Sequence, residues 1–456
     1  MKSVVFSFGF DFGSEIVLCK KNLCMWHRLQ TLSRFVPDAH ALPVEVAVSP
    51  IRASAPGKSA VAVLSEHPLP VIRFIDAIIE DACVLGASDV HLDPTHDSLK
   101  FRLRIDGSLQ EFHVVPKQYA LEVITRIKIL AGLPTDEHQA ALDGRFRSIL
   151  SSGDSVDVRV AIAPTYHGEY AVLRLLSDTA EEFNLKTLGF SESNERKVLH
   201  ALRRPFGMVL TTGPTGSGKT TTLYTLIKLL NSPERAIVTI EDPVEYAIGG
   251  INQIPVNPRT GLQFATGLRS ILRQDPNVIM VGEIRDSETA GVAVNAALAG
   301  HLLLSTLHTN DAATALPRLL DLKVESYLIA STVSVVIAQR LVKKICIACK
   351  TKRAVSWQEL ENILTLLPTY NLGLESFYYG RGCDACNMTG YKGRIGIHEV
   401  FVIDEPAREA IMQKVTASTI KAIAVQSGMV SMAEDGLQKA VLGLTTIEEI
   451  LKALYE

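Results

Sequence analysis

The sequence predicts an α/β protein in which a mostly parallel, doubly wound sheet follows a smaller α+β domain. Three observations carry this. Short apolar, β-branched runs at 208–212, 236–240, 278–281 and 302–306 are separated by helical stretches, the pattern of strands buried on both faces. The glycine-rich segment Gly213 to Thr220 sits between the first of these runs and a helix over 221–230. Upstream, period-two runs at 88–93, 99–105, 155–160 and 170–176 are joined by Asp106-Gly107, Asp143-Gly144 and Ser152-Gly153, which read as strands and turns.

In chain order, residues 1–42 hold scattered aromatics without a clean period and are read as a small N-terminal module. Residues 43–70 shift to Ala, Val, Ser and Pro, as in a linker. The α+β domain is expected over 71–186, with helices near 71–85 and 119–131. The sheet domain is expected over 187–456, with its last part, 400–456, helical and amphipathic, and Thr445-Thr446 capping a final helix over 447–455. The 456 residues are 47% apolar and can fill several cores. A formal charge of -3 gives no global attraction to nucleic acid or anionic membrane and leaves a local basic face open; no direct nucleic-acid contact is expected. No uncharged apolar run reaches the ~18 residues that span a bilayer, and no signal peptide is evident, which predicts a cytoplasmic protein. Seven cysteines in this length argue against a disulfide framework.

Gly213, Pro214, Thr215, Gly216, Ser217, Gly218, Lys219 and Thr220 fit G-x-x-x-x-G-K-[ST]. In that loop the backbone amides and a helix N-terminus converge on phosphates, the lysine reaches the β/γ-phosphates and Thr220 can ligate Mg²⁺. Hydrolysis also needs acids at neighbouring strand ends. Glu241 follows the run at 236–240, and Glu283 follows 278–281 in the apolar-run-then-acid arrangement of a Walker B segment. His308 follows the run at 302–306 and is expected at the carboxyl end of the same sheet, within reach of a γ-phosphate, whereas His301 lies at the start of that strand.

Cys346-x-x-Cys349 and Cys383-x-x-Cys386 are separated by 33 residues. Four soft thiolates in two knuckles predict a closed tetrahedral zinc site within a subdomain over 346–386. A redox role for either pair is disfavoured because neither opens a helix after a strand. Cys19, Cys24 and Cys83 read as ordinary thiols.

With these residues in place the chain resembles the secretion ATPase superfamily, in particular the motors of type II secretion and type IV pilus assembly. The match runs from about Val71 to the C-terminus. Residues 213–220 correspond to the Walker A loop, 240–246 (IEDPVEY) to the aspartate box, 272–286 to the atypical Walker B and 300–311 to the histidine box. Residues 382–399 resemble the family's metal-binding segment. Upstream, 86–91 (GASDVH), 102–107 (RLRIDG) and 143–145 (DGR) resemble its second N-terminal domain. The chain departs from the family pattern at Ala141-Leu142, where Pro-Gln is usual, at Asn277, where Asp is usual, and at Lys323, a common Gly.

The resemblance implies a RecA-like ATPase domain preceded by a PAS-like domain, with Arg159 and Arg174 approaching nucleotide from the latter. It implies a homohexamer using ATP, Mg²⁺ and Zn²⁺, located at the cytoplasmic side of the inner membrane through a platform protein, and driving pilus assembly or type II secretion. A retraction motor and a DNA-transfer ATPase of the same superfamily are alternatives that the four-cysteine insertion disfavours. A nucleotide-binding scaffold without turnover is the alternative outside the enzymes.

Overall fold

The computed structural model describes residues 70–177, 183–354, 361 and 377–455. The expected N-terminal module and all of the linker but Pro70 lie outside these residues, as does most of the stretch between the two cysteine pairs.

Helix α1 (Val71–Val84) buries Phe74, Ile75, Ile78, Ile79 and Ala82, a stripe at helical spacing. The stripe lies on a six-stranded antiparallel sheet made of β1 (Ala87–Pro94), β2 (Ser98–Ile105), β3 (Ser108–Pro116), β4 (Leu142–Ile149), β5 (Ser155–Thr165) and β6 (Gly168–Ser177). The strand order is β3-β2-β1-β6-β5-β4. Helix α2 (Ala120–Leu130) adds Val123, Ile124 and Ile127 to the same core. Asp106 and Gly107 both have positive φ, 48° and 84°, as the two-residue hairpin between β2 and β3 requires. Because one face is packed, the alternate residues of each strand face away from the core. The register lines up Arg104, Asp89, Arg174, Arg159 and Arg145 across β2, β1, β6, β5 and β4.

The second sheet has seven strands in the order β15-β12-β7-β11-β10-β8-β9: β7 (Gly207–Thr212), β8 (Ile237–Glu241), β9 (Asn252–Pro255), β10 (Val278–Val281), β11 (Leu302–Leu307), β12 (Val333–Ile345) and β15 (Tyr391–Val402). The strands β12 to β9 run parallel, and β15 closes the edge antiparallel to β12. Every residue of β7, β8, β10 and β11 is buried, as expected of strands covered on both faces. On one face α3 (Glu192–Leu202) and α4 (Lys219–Leu230) supply Val198, Leu202, Leu223, Tyr224 and Ile227. On the other, α5 (Phe264–Ile271), α6 (Ser287–Leu298), α7 (Ala315–Asp321) and α8 (Ser326–Thr332) supply Leu268, Ile271, Ala290, Val294, Leu316 and Ile329.

The C-terminal part is helical only from Glu405 onward. Residues 391–402 form β15, whose long apolar run is paired along its length with β12. Helices α9 (Glu405–Met412), α10 (Ala417–Gln426), α11 (Met432–Val441) and α12 (Ile447–Tyr455) follow, and the Thr446 hydroxyl accepts from Glu449 N–H at the start of the last. Between β12 and β15 a two-stranded ribbon, β13 (Lys350–Arg353) and β14 (Phe377–Gly380), leads in and out of the cysteine pairs. The apolar stretch at 327–338 belongs to α8 and β12, and no described helix is long and apolar enough to cross a membrane.

Lys323 takes φ 63°, a left-handed conformation that glycine would hold without strain. Asn277 Oδ1 accepts from Ala236 N–H at 2.7 Å. The two sheets meet along one side. There Gly393 N–H donates to Asp106 Oδ2 at 2.8 Å and Lys343 Nζ bonds Ser108 Oγ at 2.8 Å. Beside this seam lies a cleft of about 950 Å³, bordered by Leu85, Ile105 and Gln110 on one side and Gly218, Thr221 and Thr222 on the other.

Candidate nucleotide site

Strand β7 ends at Thr212 and the chain turns through Gly213, Gly216 and Gly218, with φ 144°, 79° and 88°, before α4 begins at Lys219. A side chain at Gly213 would meet the Gln339 carbonyl at 2.5 Å, so the close approach there requires glycine. Lys219 curls back over its loop, Nζ donating to the carbonyls of Gly213 (2.8 Å) and Pro214 (3.0 Å). Burial lowers its pKa from the ordinary lysine value, and the nearby Glu283 carboxylate partly restores it. Ser217 Oγ is buried without a hydrogen-bond partner among the described residues, and Thr220, one residue past Lys219, is exposed at the start of the helix. Thus the loop presents a lysine, amides at a helix N-terminus and hydroxyls, the donor set that suits a polyphosphate.

Gln339 on β12 is a part of this loop that the sequence reading missed. Its Nε2 donates to Ser217 carbonyl (2.7 Å) and its Oε1 accepts from Thr222 Oγ1 (2.8 Å), pinning loop and helix from beneath. A buried polar residue inside an apolar run was its one visible signal.

Glu283 and His308 come together at adjacent strand ends, Glu283 Oε2 lying 3.2 Å from His308 Nε2 and 2.6 Å from Arg285 Nε. Thr309, next to His308, donates its N–H to Thr212 Oγ1 at 2.8 Å, which ties the histidine segment to the strand that launches the phosphate loop. Glu241 is placed differently. It is buried, and its carboxylate accepts from Tyr224 OH, from Thr239 Oγ1 at 2.5 Å and from Gln253 Nε2 at 3.2 Å. Burial first, then the hydrogen-bonded Glu241, pushes the Tyr224 phenol far above its ordinary pKa, so it stays a donor. His301 sits at the opposite end of β11, its Nδ1 2.8 Å from the Pro276 carbonyl, away from the loop.

Arg159 and Arg174 lie opposite each other on β5 and β6. Arg159 reaches the segment after Glu241, bonding Val244 carbonyl (2.7 Å) and Glu245 (3.1 Å). Arg174 is more than half exposed and paired with Asp89 at 3.0 Å. Neither touches residues 213–220.

Cys346, Cys349, Cys383 and Cys386 converge, with all four sulfurs within 4.8 Å of one another. Three of the separations are 3.8, 3.8 and 3.7 Å; a tetrahedron with metal–sulfur bonds of about 2.3 Å has edges of about 3.8 Å. Burial opposes ionisation of Cys386, but the N–H groups of Cys383 and Gly390 together with the neighbouring Cys383 and Cys349 sulfurs bring this thiol down to about 7, whereas burial raises the Cys349 and Cys383 thiols. The set fits a zinc ion.

A phosphate loop between a buried parallel strand and a helix, with a carboxylate and a histidine at the next strand ends, defines a P-loop nucleotide-binding α/β protein. The chain belongs to the Type II/IV secretion system protein family, whose model matches residues 65–452. It is 46% identical over 385 residues to the type II secretion system protein E of Xanthomonas campestris pv. campestris, covering 84% of this chain and 67% of that protein. It is 44% identical over 384 residues to the type IV pilus assembly ATPase PilB of Thermus thermophilus, covering 84% of this chain and 43% of that protein. The chain therefore spans about two thirds of one relative and under half of the other. Among solved structures it is similar to the pilus retraction motor PilT with bound ADP (27% identity, TM-score 0.57, 83% of this chain and 96% of that one). It shares the fold of the Legionella pneumophila ATPase DotB (22% identity, TM-score 0.62, 84% and 95%).

Proposed function

We propose that this chain is a Mg²⁺-dependent ATPase that powers type IV pilus assembly or type II protein secretion. The observation that carries the reading is the convergence of Lys219, Glu283 and His308 on one phosphate loop. Lys219 leaves its two carbonyl partners to hold the β/γ-phosphates, the loop amides bind the remaining oxygens, and Thr220 with Glu283 would hold Mg²⁺, which supplies charge neutralisation when bound. Glu283 also has the position to take a proton from the attacking water, with His308 beside it to contact the γ-phosphate. Glu241 organises the strand end through Tyr224 and Gln253, and the arginine row carrying Arg159 and Arg174 supplies charge to nucleotide when the lobes of assembled subunits close.

In this reading 71–186 and 187–456 are separate domains, the first PAS-like and the second RecA-like, and the subunits form a homohexamer. The four-cysteine cluster is a structural zinc site, and docking is to an inner-membrane platform protein from the cytoplasmic side, with 1–70 upstream of both domains. Assembly rather than retraction is favoured by the four-cysteine cluster and by the names of the relatives that match over 84% of the chain.

Three measurements test this. The full chain should release phosphate from Mg-ATP and Lys219→Ala should not; equal rates would remove the assignment. In the host, deletion of the gene should strip pilin from sheared surface fibres or exported proteins from the medium, and a mutant unchanged in both would refute the transport role. Metal analysis of protein purified without chelator should find one zinc per chain, and Cys346→Ser should lose it.

A further inference from the structure

Glu399, on the edge strand β15, is buried to 1% exposure, yet neither its chemistry nor its position is used by the nucleotide site. Its two carboxylate oxygens divide between two elements far apart in sequence. Oε1 accepts from Ala312 N–H at 3.1 Å, in the segment that begins with His308, and Oε2 accepts from Met432 N–H at 3.4 Å, at the first residue of α11. A second tether runs from the same segment to the preceding helix: Lys421 on α10 pairs with Asp311 at 3.3 Å, and Asp311 in turn accepts from Thr314 N–H at 2.8 Å. From the other side the segment is fastened by Thr309, which bonds Thr212 and, through its hydroxyl, the Asp311 carbonyl at 2.9 Å. Glu399 also stands opposite Ala338 in the register, one position from the Gln339 that pins the phosphate loop.

A buried carboxylate is costly unless its lone pairs are filled, and here the N–H groups of Ala312 and Met432, which an apolar residue would leave without an acceptor, fill them. We infer that Glu399 is a positioning residue: its carboxylate ties the His308 segment to the start of α11, so that the C-terminal helices determine where His308 stands against the nucleotide. Movement of α10 and α11, whether forced by a neighbour or by nucleotide, pulls on residues 308–314 through Glu399 and Lys421 while the phosphate loop stays fastened to β12. The inference rests on the ATPase reading above for its catalytic consequence, and on geometry alone for the tether.

The test compares Glu399→Gln and His308→Ala, singly and together, in the full chain. Glutamine keeps the size but turns an amide N–H toward one of the two backbone donors. Glu399→Gln should lower kcat about tenfold with KM for ATP unchanged within about twofold, because misplacement rather than binding is affected. In the His308→Ala background the same change should cost less than about twofold. An equal factor in both backgrounds, or a rise in KM that accounts for the loss, would overturn the inference, since a residue that only supports the fold acts independently of His308. Amide hydrogen exchange is the second readout and needs no turnover: peptides covering 308–314 and 429–437 should exchange faster together in the variant, with 213–220 unchanged, and unchanged exchange at 308–314 would overturn the tether. If the unsubstituted chain hydrolyses no ATP, the ATPase reading fails and the exchange result alone decides the tether. Should Glu399→Gln not fold, Lys421→Ala, at a partly exposed position, should show the same pattern with a twofold to threefold loss.

Discussion

The carboxyl ends of β8 and β10 are parallel neighbours in one sheet, and a glutamate stands at each, Glu241 as the last residue of β8 and Glu283 two residues past β10, but the two carboxylates meet opposite surroundings. Glu241 is enclosed beneath α4 with Tyr224, Thr239 and Gln253 directing donors at it. Glu283 stands at the rim, with His308 and Arg285 as its partners and Lys219 nearby. An acid whose lone pairs are taken by fixed donors holds structure in place, whereas one flanked by side chains that can swing away is free to accept a proton from water. In the proposed ATPase, two motifs that look alike along the chain thus take different work, scaffold at Glu241 and chemistry at Glu283.

The largest effect that would break this contrast is on turnover. Glu283→Gln should lower kcat by about 10²- to 10³-fold with ATP binding and melting temperature close to those of the parent, read by phosphate release, equilibrium binding and thermal unfolding. Next, Glu241→Gln should act on stability, costing about 2–3 kcal/mol by disturbing a buried, fully donated carboxylate; unchanged melting with turnover abolished would reverse the roles of the two acids. Tyr224→Phe sharpens the point by removing one donor and no charge, with an expected loss of about 1 kcal/mol and a small change in kcat. Arg159→Ala should be the mildest for the isolated fold, less than about 1 kcal/mol, because its pair with Glu245 is partly exposed. A larger loss of turnover in the assembled protein would then be the mark of the charge it brings to nucleotide.

The same contrast explains what could be read in advance. The strands at 278–281 and 302–307 and the loop at 213–220 were legible because burial on both faces and a phosphate cradle each impose a local pattern. The four cysteines were legible because ligand chemistry fixes their spacing. A strand-end acid such as Glu241 looks the same along the chain whether its side chain turns toward solvent or beneath a helix; that choice is made by Tyr224 and Gln253, 17 and 12 residues away. Glu399 left no local pattern, and Gln339 only a polar residue within an apolar run, because their partners come from the phosphate loop, α4, the segment after β11 and α11. The strand over 391–402 was assigned in part to the helical end of the chain, and pairing with β12 overrode that reading.

The contrast between the two acids is tested most directly by the fate of bound nucleotide. Glu283→Gln and Glu241→Gln would each be mixed with labelled Mg-ATP, passed through a desalting column and the retained nucleotide identified. Intact ATP on the Glu283 variant and ADP on the Glu241 variant are the predicted results; ADP on the first and trapped ATP on the second would contradict the division of roles between the two strand ends.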